Sequence, residues 1–346
     1  MLCISVRSRA LLAAGALALP ALASAQTFTV TKYNIGGEGG TDYVTAEAGT
    51  GRVFVSRGTH VMVIDANTGT VLGDIMNTPR VHGVGLAAKS NHGFTTNGGD
   101  SSVTMFDLTS LAFIKKIPVK VGGLDGITYD STSDRILLTN HSKPGTVVAI
   151  DPMSGDIVGT AKLEDNGPEG AVANGKGWIY VNNEGTSTMQ VVDASTWTAV
   201  KSWKLAPCDG PTGIAYDAPS DRVIAGCGKT SIVVDGTNGN IVAKITNGDG
   251  VDALGYDPTE KLIYIPSGSA GNVSVVRQDG PDTYTTVTTV PTVRGAKTIA
   301  VDPVTHRAFL FQPERGPSTP APAGSPAGTR ATPGPITSAS FFVISH

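Results

Sequence analysis

Charge, cysteine and long apolar runs are all sparse in this chain, and each scarcity excludes something. Only 16% of the residues are charged, 26 Lys and Arg against 29 Asp and Glu. Nucleic-acid binding normally shows clustered basic residues; no such cluster exists here, so no nucleic-acid partner is expected. Past Leu22 no stretch approaches the roughly 20 apolar residues that cross a bilayer, and no basic amphipathic helix marks a membrane surface. Membrane insertion is therefore not expected. The three cysteines, Cys3, Cys208 and Cys227, show no C-x-x-C spacing and no adjacent His, which argues against a soft-metal site. Also missing are H-E-x-x-H, G-x-S-x-G, the phosphate-cradling G-x-x-x-x-G-K-[ST] and the C-x-x-C-H haem attachment. Gly36 to Gly40 is glycine-rich but precedes no helical pattern, so it reads as a linker between two strands.

The first residues have the form of an export signal. Arg7 and Arg9 precede an apolar run from Ala10 to Leu22, and Ala23-Ser24-Ala25 supplies the small-x-small cleavage pattern. Residues 1–25 are expected to be removed, leaving a periplasmic or secreted chain that begins at Gln26 and acts as a monomer. Cys3 leaves with the leader. In an oxidising compartment the remaining even pair, Cys208 and Cys227, points to a disulfide.

What the chain has in quantity is glycine, 43 residues, and proline, 21, which suits many short strands with tight turns. A repeat organises them. An apolar-apolar-Asp signature returns at Asp65, Asp107, Asp151, Asp193 and Asp235, at intervals of 42, 44, 42 and 42 residues. Each Asp opens a turn in which its side chain can accept backbone N–H groups ahead of it. A second turn recurs from Asp130, Asp217, Asp257 and Asp302. These aspartates read as turn chemistry, not catalysis. Seven inner-strand starts follow, at Asp42, His82, Asp125, Glu169, Thr212, Asp252 and Lys297, spaced as four-stranded blades. The pattern predicts an all-β, seven-bladed β-propeller over residues 26–346. The last unit lacks a strand, with Thr298–Val301, Ala308–Phe311 and Phe341–Ser345 only. The surplus strand Phe28–Tyr33 is expected to complete that blade and close the ring.

One unit reads Ile179-Tyr180-Val181-Asn182-Asn183 and then Val191-Val192-Asp193. It resembles the YVTN-type β-propeller repeat, and Val61-Met62-Val63-Ile64-Asp65 with Thr70-Val71-Leu72 is similar to its second half. The resemblance covers residues 27 to 346. It implies an exported bacterial seven-bladed propeller, and it implies architecture more than activity. Two departures stand out: Arg277 occupies the Asp position of unit six, and Gly316–Pro335 interrupts unit seven with a Pro/Ala/Gly/Ser/Thr-rich tract that reads as a loop.

Propeller geometry brings the inner-strand starts to one tunnel mouth. The expected inner ring is therefore Asp42, His82, Asp125, Glu169, Thr212, Asp252 and Lys297. Residues just after each second strand form an expected wider ring of Arg57, Asn97, His141, Asn183, Cys227, Ser267 and Gln312, with Asn140 and Asn182 beside it. Carboxylates and amides of this kind are hard oxygen ligands suited to a divalent cation, Ca or Mg, with Asp125 and Glu169 as the metal ligands. His82 and His141 are the candidate catalytic acid or base, and Lys297 and Arg57 the candidate holders of an anionic group. The same residues would equally solvate a water-filled mouth. His92 and His306 fall on the opposite face, and His60 flanks the site or lies on the surface. Trp178, Trp197 and Trp203 read as blade packing.

Three functions fit these residues. The first is a binding module presenting the ringed mouth to a small molecule, glycan or envelope protein. The second is a metal-assisted hydrolase or lyase of the lactonase kind. The third is a partner-dependent role with residues 316–335 as docking segment.

Overall fold

The computed structural model describes residues 26–346 apart from 165, 323, 325 and 327–330; the expected leader lies outside them. The described strands form seven four-stranded antiparallel sheets. Six follow chain order from inner to outer strand, as in blade four: Pro168–Ala173, Trp178–Asn183, Thr188–Asp193 and Thr198–Lys204. Period-two alternation would suit a sheet with one wet face, but each blade is sandwiched between neighbours. Its middle strands are therefore apolar without interruption, and Val61 to Ile64 are all buried. Only the outer strands alternate, as Val71–Ile75 does.

The core consists of the layers between blades. Val53, Val55, Met62 and Ile64 of blade one pack on Phe309, Phe311, Phe341 and Val343 of blade seven. Blade-four tryptophans serve this packing too. An added Cβ on Gly239 would lie 2.4 Å from the Trp203 ring, and one on Gly159 2.0 Å from Trp197. Lys201 Nζ sits 3.8 Å above the Trp178 ring.

Ring closure follows the expected path. Thr29–Asn34 pairs antiparallel with Ile336–Ser345, Thr29 opposite Ser345 and Asn34 opposite Ser340. It thus forms the outer strand of blade seven, beside Arg307–Arg315 and Ala300–Asp302. Tyr33 extends this strand's reach to blade one, where its hydroxyl donates to Asn67 O at 2.8 Å.

Turn aspartates behave as their chemistry demands. Asp65 accepts from Asn67 N at 2.7 Å, Asp193 from Ser195 N at 2.8 Å and Asp235 from Thr237 N at 2.8 Å. Asp217 differs: it is buried and accepts from Gln278 Nε2 of blade six at 2.7 Å. The two departures from the repeat have local consequences. With Arg277 in the Asp position, the third strand of blade six continues to Gly280 and turns there, and Arg277 Nε donates instead to Asp279 at 2.6 Å. In blade seven the second and third strands run well past the expected lengths, to Arg307–Arg315 and Ile336–Ser345. Their alternation is hidden in sequence by Gln312-Pro313-Glu314, which pairs with Ser338–Ser340 all the same. Beyond Arg315 the described residues Thr319 and Thr332 still bridge.

Candidate functional site at the tunnel mouth

The inner strands of blades two, three and four share an irregularity at their first residues. Pairing skips from Val81 to Val84, from Leu124 to Ile127 and from Pro168 to Ala171. Each skip is a β-bulge holding a polar residue followed by glycine: His82-Gly83, Asp125-Gly126 and Glu169-Gly170. A bulge releases its residues from the ladder and re-aims their side chains, here toward the tunnel axis. Glycine is required beside it because the next blade approaches so closely. A Cβ on Gly126 would lie 2.2 Å from the Glu169 carbonyl oxygen. That carbonyl accepts from Thr139 Oγ1 at 2.5 Å, as the Asp125 carbonyl does from Thr96 Oγ1 at 2.5 Å. Neighbouring blades thus clasp each bulge in place.

The result is one concave space of about 630 Å³ at the mouth, lined by Asp42, His82, Asp125, Glu169, Asp252 and Lys297 from six of the seven blades. Thr212 instead lines a second space of about 360 Å³ between the inner strands, which Glu169 and Asp252 also border. His82 Nδ1 stands 2.6 Å from Asp42 Oδ2 and 3.6 Å from Asp125 Oδ1. His141 Nδ1 is 2.5 Å from Glu169 Oε1, and its Nε2 is 3.8 Å from Glu184 Oε2. The Tyr43 hydroxyl donates to Glu169 Oε2 at 3.0 Å, and Lys297 Nζ pairs with Asp252 Oδ2 at 2.6 Å.

Carboxylates this crowded resist ionisation. Burial, reinforced by Asp42 and Asp252 and opposed by His82 and His141, pushes Asp125 up to about 6. Burial and the Asp125 charge push Glu169 up to about 7, against the pull of His141 and the Tyr43 hydrogen bond. Burial raises Asp252 also, with Lys297 opposing. Burial alone would lower both histidines. The Asp42 hydrogen bond and the Asp125 charge outweigh it at His82, and Glu169 outweighs it at His141, so both rise. Tyr43 rises through burial and the charge of Glu169.

Of the wider ring expected from sequence, only His141 reaches this space. The others lie outside it, and most of their polar groups serve local structure, with Asn183 Oδ1 and Ser267 Oγ buried without a hydrogen-bond partner among the described residues. Arg57 is fully buried, donating to the carbonyls of Gly36, Gly37, Gly39 and Gly40 at 3.1–3.3 Å. It holds no anion site. Asn97 Nδ2 donates to Ser102 and Thr104 hydroxyls at 3.1 and 2.9 Å. Asn140 Oδ1 accepts Thr146 N at 2.6 Å, and Asn182 Nδ2 donates to Gly213 O of blade five at 2.9 Å. Asn183 is buried against Thr188, and Gln312 Nε2 donates to Pro313 O at 3.0 Å. None of these amides lines the space that holds Asp125 and Glu169. His60 faces Asp74 at 3.6 Å outside the cavity. On the opposite face His92 contacts Pro152 O, and His306 contacts buried Asp257 at 2.8 Å.

Three mouth residues escaped the sequence reading: Tyr43, Arg80 and Glu184. Tyr43 lies one position after the inner-strand start Asp42, where strand alternation would turn it away, and Arg80 lies two positions before His82 on a left-handed backbone, φ 51°. The polar-Gly pairs were the available signal for the bulges.

Cys208 and Cys227 form the disulfide, with Cα atoms 5.5 Å apart. Both are buried in the layer between blades four and five. The bond fastens the loop entering blade five to that blade's own second strand. Replacing both cysteines with serine is expected to cost about 3 kcal/mol for a loop of this length. Urea unfolding with and without reductant checks it: equal midpoints for the parent chain in the two conditions would refute that role.

The chain is a seven-bladed β-propeller. Solved structures with this fold include Kuenenia stuttgartiensis hydrazine synthase, with 15% identity and a TM-score of 0.68 over 79% of this chain and 92% of that one. The mitotic checkpoint complex gives 16% and 0.69 over 89% and 96%. The WD40 repeats of RRP9 give 8% and 0.74 over 91% and 97%. At such identities the likeness is one of fold alone. No family model and no curated protein matches the chain.

Proposed function

We propose that this propeller is an exported binding protein of the YVTN-repeat kind, which captures a small polar ligand such as a glycan or metabolite at the ringed mouth. The observation that carries this reading is the convergence of ionisable side chains from six blades on one 630 Å³ space. A site of that size suits a small molecule. Its chemistry is two-sided: Asp42, Asp125, Glu169 and Asp252 face hydroxyl or amine donors, while Arg80 and Lys297 face acceptors. The buried disulfide favours an oxidising compartment, consistent with export.

Screening chelator-treated and untreated chain against sugars, amino sugars and sugar acids by thermal shift tests the proposal. For a ligand so found, Asp252→Asn and Lys297→Ala are each expected to weaken binding about tenfold or more, the effect of losing one charged hydrogen bond. Affinity indifferent to both substitutions would place recognition elsewhere.

A second reading, metal-assisted hydrolysis or elimination on a lactone or ester, rests on a different observation. His82 and His141 each hold a carboxylate through Nδ1, which orients the imidazole and leaves the far nitrogen to move a proton. Turnover of a lactone panel that disappears in His82→Ala or His141→Ala would establish it; an inert chain with ligand affinity intact would favour capture alone. Docking of an envelope protein on residues 316–335 draws on the long second and third strands of blade seven that flank the tract. Deleting that tract without loss of partner binding would remove it.

A further inference from the structure

We propose that the mouth is a two-metal site for divalent transition ions bridged by Asp125. Asp42, His82 and Asp125 form one triad, and Asp125, His141 and Glu169 a second. In each, the ligand atoms lie within 4.8 Å of one another. Donors bound at 2.0–2.2 Å around a tetrahedral ion stand roughly 3.3 Å apart, so each triad needs only small side-chain rotations to close on an ion. Asp125 belongs to both and has two oxygens, one for each side. The inference rests on the mouth being the functional site, and it deepens that reading by naming what the mouth holds.

The backbone places these ligands with unusual consistency. His82, Asp125 and Glu169 are the polar residues of three β-bulges in consecutive blades. The regular ladder elsewhere in those strands offers no such inward turn. Second-sphere contacts are also present: Tyr43 donates to the Glu169 oxygen that His141 does not contact, which would fix the carboxylate's orientation as outer partners of metal ligands do.

Ligand chemistry selects the class of ion. Hard ions such as Ca²⁺ and Mg²⁺ prefer six or more oxygens, often from carbonyls and amides. Asn140 spends its amide oxygen on Thr146, neither Asn140 nor Asn182 lines the cavity, and each triad contains an imidazole. A set of one imidazole and two carboxylates suits Zn²⁺, Mn²⁺ or a similar ion. Two such ions add four positive charges against the three of Asp42, Asp125 and Glu169. Each keeps an open position toward the cavity, where Arg80 and Lys297 flank an anionic or oxygen-bearing ligand.

Calorimetry and metal analysis on the chelator-stripped full chain test this with Zn²⁺ and Mn²⁺ against Ca²⁺ and Mg²⁺. The expected result is two equivalents of Zn²⁺ or Mn²⁺, with the alkaline-earth ions at least about 100-fold weaker. Asp125→Asn should abolish both equivalents, while His82→Ala and His141→Ala should each leave one, all with circular dichroism unchanged. Binding that survives Asp125→Asn, a single equivalent sensitive to both histidines, or a preference for Ca²⁺ would overturn the proposal. Organic ligand captured in excess chelator with full affinity would sink the metal inference while sparing the capture reading. Two tightly bound ions with no organic ligand would do the reverse.

Discussion

Replacing Arg57 with alanine is expected to cost about 4 kcal/mol of stability, although the residue touches no part of the mouth. Its guanidinium is fully buried, and among the described residues no carboxylate lies within ion-pair distance. Burial pushes it down to about 10, yet it stays protonated at neutral pH. What holds the charge is a cage of four carbonyls, Gly36, Gly37, Gly39 and Gly40, closed by the Phe311 ring 4.6 Å away. Those carbonyls belong to the segment linking the closing strand of blade seven to blade one. Gly39, at φ 92°, has no room for a side chain, since a Cβ would meet the Arg57 carbonyl at 2.0 Å. Alanine at 57 leaves four acceptors without a donor and a cavity where the guanidinium was. Lysine restores the charge but not the fork of donors, so Arg57→Lys should recover less than half of the loss. The melting temperature of Arg57→Ala should fall on the order of 10 °C, with ligand and metal affinity unchanged at low temperature. A fall of under about 2 °C would refute the latch role.

The chelator-treated chain is expected to be more stable at pH 5 than at pH 8, by roughly 4 kcal/mol from Asp125 and Glu169 together. Both carboxyls keep their protons in the folded chain, at about 6 and about 7, where the unfolded chain has already released them. From about pH 4 to pH 7 the folded state therefore binds more protons, and stability falls as pH rises through this window. The contribution is complete below the unfolded values and gone above the folded ones. His82 and His141, also raised, lose their share in the same direction at the upper end. Turn aspartates such as Asp151 and Asp235 act oppositely: lowered by backbone and hydroxyl donors, their contribution is lost as pH falls toward 3. Urea midpoints across pH 4–8 measure the slope. Asp125→Asn and Glu169→Gln should each flatten it and raise stability at pH 8, the sign expected of residues kept for function at the expense of the fold. A slope equal in parent and both variants would show that the mouth is not electrostatically strained.

The repeat was readable because its determinants are local. An Asp that caps its own hairpin, as Asp65 and Asp235 do, leaves a mark at a fixed period. The buried middle strands read as unbroken apolar runs because each blade has a neighbour on both sides. The missing strand of the last unit, set against the surplus at Phe28–Tyr33, was enough to anticipate closure. Where local determinants were weak, strand limits were misjudged. Pro313 and the tract after Arg315 conceal pairing that depends on the partner strand rather than on composition.

The site was half legible for a related reason. Counting residues to each inner-strand start found Asp42, His82, Asp125, Glu169, Asp252 and Lys297, because chain position brings every such start near the mouth, although Thr212, counted the same way, does not line the space. It could not say which way the second-strand residues point. Arg57, Asn97 and Asn182 are as polar as their neighbours, but a one-residue change of register turns a side chain from the axis into the blade. Their partners are a glycine carbonyl cage for Arg57, two hydroxyls of the adjoining strand for Asn97 and the next blade's backbone for Asn182.

Period, turn chemistry and strand count were thus settled by the amino-acid order alone, since each is enforced between residues a few positions apart. Which polar groups share one space was decided only in three dimensions, by bulges at His82, Asp125 and Glu169 and by the clasp of each blade on the next. Those contacts join residues 29 and 30 positions apart, and no local pattern records the direction in which they aim a side chain.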